Sequence, residues 1–177
     1  DLRQALYGRH GEAVLPVLAA STPTDCFDTV IEAFCLAVKY MTPVVVLLDA
    51  YLVNAAKPWQ IPSPDDITLP DIQYYMHEQP FARNEHLSRS WNIPGKPGYI
   101  HQLGGLEKSG ETGEVSYEAE NHEEMVKMRA QKIAGIADTY DALRVEGDKN
   151  AEILLVSWGS TYGSVSAASA YLTQSKG

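Results

Sequence analysis

Two short apolar runs, separated by a segment of helical length, constrain the fold more than any other feature. Residues 15–20 read Leu-Pro-Val-Leu-Ala-Ala, and residues 44–48 read Val-Val-Val-Leu-Leu. Uninterrupted apolar runs of this length are typical of parallel strands that are covered on both faces. A crossover helix between two such strands places them parallel, so the sequence predicts a β-α-β unit. Asp49 follows the second run, and we expect it to cap the next turn or to hold a ligand at this edge of the sheet.

The crossover segment carries the signals of a helix. Thr22 can accept a hydrogen bond from the backbone three residues on, Pro23 suits the first helical position, and Asp25 places negative charge in the first turn. Apolar residues then recur at intervals of three and four, which predicts the face that packs on the sheet. The residues of this predicted face are Phe27, Val30, Ile31, Phe34 and Val38.

A third apolar run, at residues 152–158, predicts another strand, and the turn Gly159-Ser160-Thr161 leads from it into a helix that extends to Ser175. Such a strand belongs in a parallel sheet and needs neighbours that this chain does not obviously supply. We therefore expect the chain to be a piece of a longer protein. The turn could offer backbone amides to a phosphate, but it lacks both G-x-G-x-x-G and a P-loop lysine, and a plain tight turn is the alternative.

Between these units, residues 57–113 are rich in proline and have no lasting period, which predicts an extended connector. Its aromatic residues suggest that it packs against the rest of the protein; they are Trp59, Tyr74, Tyr75, Trp91 and Tyr99. A helix is predicted after it, capped by Asn121 and supported by a Glu123–Lys127 pair. Its apolar contacts are expected from Met125, Met128, Ile133 and Ile136.

Composition excludes several classes of protein. The net charge of −9 argues against nucleic acid or an anionic membrane as a partner, and the apolar runs are too short to span a bilayer. These features suit a cytoplasmic protein. Cys26 and Cys35 lack the spacing of a zinc or iron–sulfur site. The histidines are scattered, at His10, His77, His86, His101 and His122, so no metal ligand and no catalytic residue is assigned.

One charged loop, residues 8–12, reads Gly-Arg-His-Gly-Glu. The planar fork of Arg9 could clamp a carboxylate, whereas an exposed salt bridge is the simpler interpretation. The loop precedes the first predicted strand and is therefore expected near the edge of the sheet opposite the ligand crevice.

Several segments, taken in order, resemble the alpha subunits of 2-oxoacid:ferredoxin oxidoreductases, and most closely those that act on 2-oxoglutarate. They are residues 1–12, 21–27, 39–43, 54–59, 91–95, 104–108, 116–117, 121–123 and 158–163. The chain departs from the family pattern at residues 49–51, Asp-Ala-Tyr, and 54–59, Asn-Ala-Ala-Lys-Pro-Trp, where glycines are expected. Alanine carries a Cβ atom that glycine lacks, so a close backbone approach is not expected at those places.

The resemblance implies oxidative decarboxylation of a 2-oxoacid to acyl-coenzyme A, with thiamine diphosphate, magnesium and iron–sulfur clusters in the full complex. Pyruvate and branched-chain 2-oxoacids are alternative substrates. It also implies a beta subunit, which carries the diphosphate and magnesium site, and ferredoxin as the electron acceptor. Arg9 and His10 are then the candidate substrate-binding residues. A non-catalytic acidic α/β binding module is the alternative from another class.

The same resemblance implies an α/β fold in three parts. Residues 1–62 correspond to the last β-α-β part of a thiamine-diphosphate pyrimidine-binding domain. Residues 63–145 correspond to an interdomain connector with one helix, and residues 146–177 to the start of a transketolase C-terminal-like α/β domain. The family's Tyr-Pro-Ile-Thr-Pro segment and its activating glutamate are expected upstream of Asp1. This segment alone is therefore expected to bind no cofactor and to be inactive.

Overall fold

A computed structural model describes residues 1–72, 74, 81–141, 143, 145–148 and 150–176 of the chain. Its helices and strands follow the order α1 (Leu2–Tyr7), β1 (Val17–Ala19), α2 (Asp25–Tyr40), β2 (Val45–Leu47), α3 (Ala50–Asn54), α4 (Ala119–Ala137) and α5 (Thr161–Lys176), with a short 3-10 helix at Pro64–Asp66 between α3 and α4. Tyr75, an aromatic residue of the connector, and His77, one of the scattered histidines, lie outside the described residues.

The two strands form the predicted parallel pair. Val17 is in register with Val45, and Ala19 with Leu47. The Val45 amide extends the pairing by donating to the Pro16 carbonyl at 3.0 Å. Because α2 connects the two strands, the β-α-β prediction is confirmed. Each strand is shorter than its apolar run.

The start of α2 is set by hydroxyl and carboxylate groups. Thr22 Oγ1 accepts a hydrogen bond from the Asp25 amide at 3.2 Å, as predicted. The Asp25 carboxylate in turn accepts from the Ser21 amide and the Ser21 hydroxyl, each at 2.7 Å. The helix begins at Asp25, so Pro23 lies in the preceding turn and the prediction that it takes the first helical position is wrong.

The buried face of α2 differs from the predicted one. Its buried residues are Thr29, Ala33, Leu36 and Tyr40. Val30 and Phe34 are 53% and 49% exposed, so the prediction that they pack on the sheet is wrong. Phe27 is half-buried and its ring lies 5.2 Å from that of Trp59. Ile31 and Val38 are half-buried.

The reason is that α4 also packs on this helix. Leu36 and Tyr40 form the central cluster with Ile136 of α4, and Leu18, Val44 and Ile133 pack around them. Lys132 of α4 donates to the Tyr40 carbonyl at 3.0 Å. The face of α2 between sheet and α4 is therefore the buried one, and a neighbouring apolar stripe is left outside.

Residues 152–158 do not form the predicted strand. They lie outside the strands of the structure, and their side chains are largely exposed, with Val156 at 85%. A strand requires backbone partners, and the sheet in the described part of the chain contains only β1 and β2. The following helix is present as α5, Thr161–Lys176, in agreement with the predicted helix up to Ser175.

The connector is anchored at several points. The Trp91 indole donates to the Val38 carbonyl of α2 at 2.9 Å, so this aromatic residue packs the connector down as expected. Lys108 and Val115 pair as an antiparallel bridge that closes a turn before α4. Asn121 does not cap α4, because the cap position is Glu118; instead it donates to the Lys108 carbonyl and accepts from the Gly110 amide.

Helix α4 confirms the other expectations about this region. Lys127 and Glu123 form an ion pair at 2.6 Å. Met125 and Ile136 are buried, and Met128 and Ile133 are half-buried. Within the described ranges, no helix is both long enough and apolar enough to cross a membrane.

Candidate functional site

An open cleft of about 620 Å³ lies at the carboxyl edge of the sheet. Three parts of the chain meet there: the residues after β1, those after β2, and the N-terminal turn of α5. The lining residues are Ser21, Thr22, Pro23, Tyr51, Lys57, Ser160, Thr161, Gly163, Ser164 and Ala167. Ligands of open parallel sheets bind at this edge, so the cleft is the candidate functional site.

Asp49 joins two sides of the cleft. Its carboxylate caps α3 by accepting from the Leu52 amide at 3.0 Å, which confirms the predicted capping role. It also accepts a hydrogen bond from the Ser160 hydroxyl at the start of α5. The hydrogen bond from Ser160 has the larger effect on the pKa of Asp49, and the bond from Leu52 adds to it; together they hold that pKa below its usual range. The carboxylate is therefore ionised near the N-terminus of α5.

The turn before α5 lies against the end of β1. Gly159 has a φ of 64°, and a Cβ atom there would come within 3.5 Å of the Ala19 Cβ. Thr161 Oγ1 donates to the Trp158 carbonyl at 2.8 Å and so closes the turn. The nearby Asp49 carboxylate already occupies the positive end of the helix, which disfavours a phosphate at this turn.

The predicted substrate residues lie elsewhere. Arg9 follows α1, and its guanidinium donates to the carbonyl oxygens of Ala5, Leu6 and Ala13, with Arg9 Nε to Ala13 O at 3.1 Å. Arg9 thus fastens the loop to α1. His10 is exposed, with a left-handed φ of 52°. Neither residue lines the cleft.

Groups of metal-binding side chains are absent from the described residues. They contain no group of three or more His, Cys, Asp or Glu side chains that could hold a metal ion. Cys26 and Cys35 are free thiols and are half-buried. Two cysteines are fewer than the four thiolates that an iron–sulfur cluster requires, so a cluster does not fit the described side chains. No chemical step through a cluster or a magnesium-bound diphosphate is derived from this chain.

Lys57 is a contributor to the cleft that did not stand out in the sequence, and it adds the only cation among the described lining residues. The turn that contains Ser160 was a candidate for its backbone amides, whereas the structure shows the Ser160 hydroxyl bonding to Asp49. The available signal was position: Lys57 follows α3, after the second apolar run, and Ser160 follows the third run. Polar residues just beyond the ends of strands collect at the carboxyl edge of a parallel sheet.

Comparison with known proteins identifies the family of this chain. Residues 1–132 match the family model described as pyruvate flavodoxin/ferredoxin oxidoreductase, thiamine diP-bdg. The chain is 45% identical, over 95% of its own length and 26% of the relative, to the 2-oxoglutarate oxidoreductase subunit KorA of Mycobacterium tuberculosis. It is 28% identical to the 2-oxoglutarate synthase subunit KorA of Methanothermobacter marburgensis, over 95% of its own length and 45% of the relative.

A solved structure agrees. The 2-oxoglutarate:ferredoxin oxidoreductase of Magnetococcus marinus, with 2-oxoglutarate, coenzyme A and succinyl-CoA bound, matches with a TM-score of 0.90 and 32% identity, over 99% of this chain and 31% of that one. This chain spans between about a quarter and a half of the length of these relatives. It belongs to the pyruvate flavodoxin/ferredoxin oxidoreductase family, in the thiamine diphosphate-binding region, as its sequence motifs predicted.

Proposed function

We propose that the chain is part of the alpha subunit of a cytoplasmic, thiamine-diphosphate-dependent 2-oxoglutarate:ferredoxin oxidoreductase. The full complex, with a beta subunit, would convert 2-oxoglutarate and coenzyme A to succinyl-CoA and carbon dioxide, and pass two electrons through iron–sulfur clusters to ferredoxin. The main support is that nearly the whole chain matches, at a TM-score of 0.90, an enzyme of that name with 2-oxoglutarate, coenzyme A and succinyl-CoA bound. The 45% identity to a 2-oxoglutarate oxidoreductase subunit supports the same oxoacid.

The proposed domain organisation follows the order of the elements. Residues 1–62, which contain β1, α2 and β2, form the last part of a pyrimidine-binding domain. Residues 63–145 form the connector, whose helix α4 packs on α2. Residues 146–177, which contain α5, begin a transketolase C-terminal-like domain. The cleft at the carboxyl edge is then bounded by the first and third of these parts.

We assign substrate contacts to Arg9 and His10, because their loop belongs to the family pattern and carries both a fork-shaped cation and an exposed ring. The present partners of Arg9 are neutral carbonyl oxygens. A carboxylate forms a stronger, charge-assisted bond with a guanidinium, so a substrate carboxylate can replace a carbonyl partner such as Ala13 O. His10 beside it would then face the same anion.

The substrate proposal is tested with the full-length alpha subunit co-purified with its beta subunit. We expect 2-oxoglutarate to reduce ferredoxin only when coenzyme A is present, and faster than pyruvate or a branched-chain 2-oxoacid. The 177-residue chain alone should show no turnover and no micromolar binding of thiamine diphosphate in calorimetry. A preference for pyruvate would overturn the assignment of 2-oxoglutarate as the substrate. A complex that turns over none of the three 2-oxoacids would favour a non-catalytic binding module.

Substitution of Arg9 by alanine is expected to raise the KM for 2-oxoglutarate. Loss of one charge-assisted bond corresponds to roughly 1.5–3 kcal/mol, or about a 10- to 150-fold change in kcat/KM. Steady-state kinetics of the complex, with the KM for coenzyme A as an internal reference, measures this. Arg3, exposed on α1, supplies the matched control Arg3→Ala. A lower thermal midpoint with an unchanged KM would reduce Arg9 to the structural role seen in its backbone contacts.

A further inference from the structure

Four cationic side chains cluster where the connector meets α4. Arg83 and Arg89 come from a local antiparallel pairing within the connector, and Arg129 and Lys132 lie three residues apart on α4. The chain as a whole is acidic, with a net charge of −9. A concentration of positive charge on such a chain needs a local explanation.

Few carboxylates neutralise these cations in the described part of the chain. In the described part of the chain, the one carboxylate that pairs with them is Glu107, at 2.6 Å from Arg129, and Glu107 also bonds to His122. Burial, and then the charges of Arg83, Arg89 and Arg129, lower the pKa of Lys132 to about 8. The cluster therefore carries more positive charge than its described neighbours neutralise.

The two connector arginines lack oxygen acceptors for part of their donors. Arg83 Nη1 donates to the Leu87 carbonyl at 2.9 Å, but its Nε is buried and has no hydrogen-bond partner among the described residues. Arg89 stacks on Phe81, with its guanidinium carbon 4.4 Å from the ring centre, and it donates to Met41 Sδ at 3.5 Å. Sulfur is a weak acceptor. Because a partly desolvated guanidinium is stabilised by oxygen acceptors, this fork is set up for a ligand.

A cleft of about 440 Å³ opens beside Arg89, while Arg83 and Lys132 are not among its described lining residues. Arg89, Arg129 and Lys108 line it together with Phe81, Glu107 and the backbone turn at residues 102–106. Lys108 Nζ orders that turn by donating to the carbonyls of Gly104 and Leu106, at 3.1 and 2.9 Å. Among the described residues, none lines both this cleft and the one at the carboxyl edge of the sheet.

We propose that the cleft lined by Arg89, Arg129 and Lys108 binds a small dianion, with a phosphate or a dicarboxylate as its recognised group. The Arg89 fork provides parallel donors that match two oxygens of such a group, and Phe81 holds the plane of the fork. Arg129 and Lys108 also line the cleft, so its three cations outnumber the one carboxylate there, Glu107, which pairs with Arg129. This inference does not depend on the proposed enzymatic function, because it concerns a separate cleft.

The test is calorimetric titration of the full chain with inorganic phosphate, pyrophosphate and succinate at low and high salt. We expect saturable binding that weakens as salt rises, and the better of phosphate or succinate identifies the recognised group. Arg89→Gln should weaken binding roughly 10- to 100-fold, and Arg89→Lys, which keeps the charge without the fork, should weaken it less. Lys127→Gln, an exposed cation on α4, is the matched control and should leave binding unchanged.

Two results would overturn the proposal. One is the absence of saturable binding by wild-type protein for all three probes, and this result does not depend on any variant folding. The other is wild-type affinity in both Arg89 variants, shown to be folded by circular dichroism. If no probe binds while Arg89→Gln weakens assembly with the beta subunit, a partner carboxylate occupies the cleft instead of a small dianion.

Discussion

Replacement of Gly113 by alanine is expected to lower the free energy of unfolding by about 2–5 kcal/mol. Gly113 is buried in the turn before α4 and has a φ of 74°, where an L side chain is strained by about 1–2 kcal/mol. A Cβ atom there would also overlap the ring of Phe81, which is only 7% exposed. A rigid, buried ring cannot move without disturbing its neighbours, and such overpacking adds about 1–3 kcal/mol.

Gly98→Ala is the matched control for this effect. Gly98 has a φ of 82°, and a Cβ atom there would meet nothing within 4 Å. The free energy of unfolding of Gly98→Ala should therefore fall only by the cost of the backbone strain, about 1–2 kcal/mol. Urea unfolding followed by circular dichroism measures both variants. Equal destabilisation would show that Phe81 does not pack beneath Gly113 as described.

The second large effect is expected at Leu36 in the core of α2. Leu36 is 8% exposed and contacts the cluster formed with Tyr40 and Ile136. Leu36→Ala should destabilise the fold by about 2–5 kcal/mol, since it leaves a cavity between the sheet and α4. Phe34, two residues earlier, is 49% exposed, so Phe34→Ala should lose less than half as much.

This pair of variants separates the observed face of α2 from the one that periodicity predicted. The apolar stripe containing Phe34 predicts the larger loss for Phe34→Ala, whereas the structure predicts it for Leu36→Ala. Thermal and urea unfolding of both variants, with wild-type protein measured alongside, shows which substitution causes the larger loss of stability. A larger loss for Phe34→Ala would mean that the face through Val30 and Phe34 is the packed one.

Local sequence was sufficient to predict much of this chain. The β-α-β unit follows from two apolar runs joined by a segment of helical length, and its parallel pairing follows from the handedness and length of the crossover. Thr22 and Asp49 could be assigned to helix starts because capping depends on residues two to four positions away. The family could be recognised because its motifs are stretches of contiguous sequence.

Family motifs placed Arg9 and His10 among the candidate site residues, but the cleft is assembled from other parts of the chain. Lys57 and Ser160 are more than 100 positions apart and line the same cleft. The basic cleft likewise combines Arg89 with Arg129. Position after an apolar run was a signal for Lys57 and Ser160, but no local pattern indicates that Arg89 meets Arg129, because that depends on how the connector packs on α4.

The sequence by itself determined that a helix connects two parallel strands and that Thr22 and Asp49 bond to the backbone at helix starts, because these outcomes depend on neighbours along the chain. Only the tertiary structure decided which side of α2 is buried, because both sides are apolar and the choice depends on where α4 packs. It also decided that residues 152–158 do not belong to a strand of the described structure, because a strand is completed by backbone partners from elsewhere in the fold.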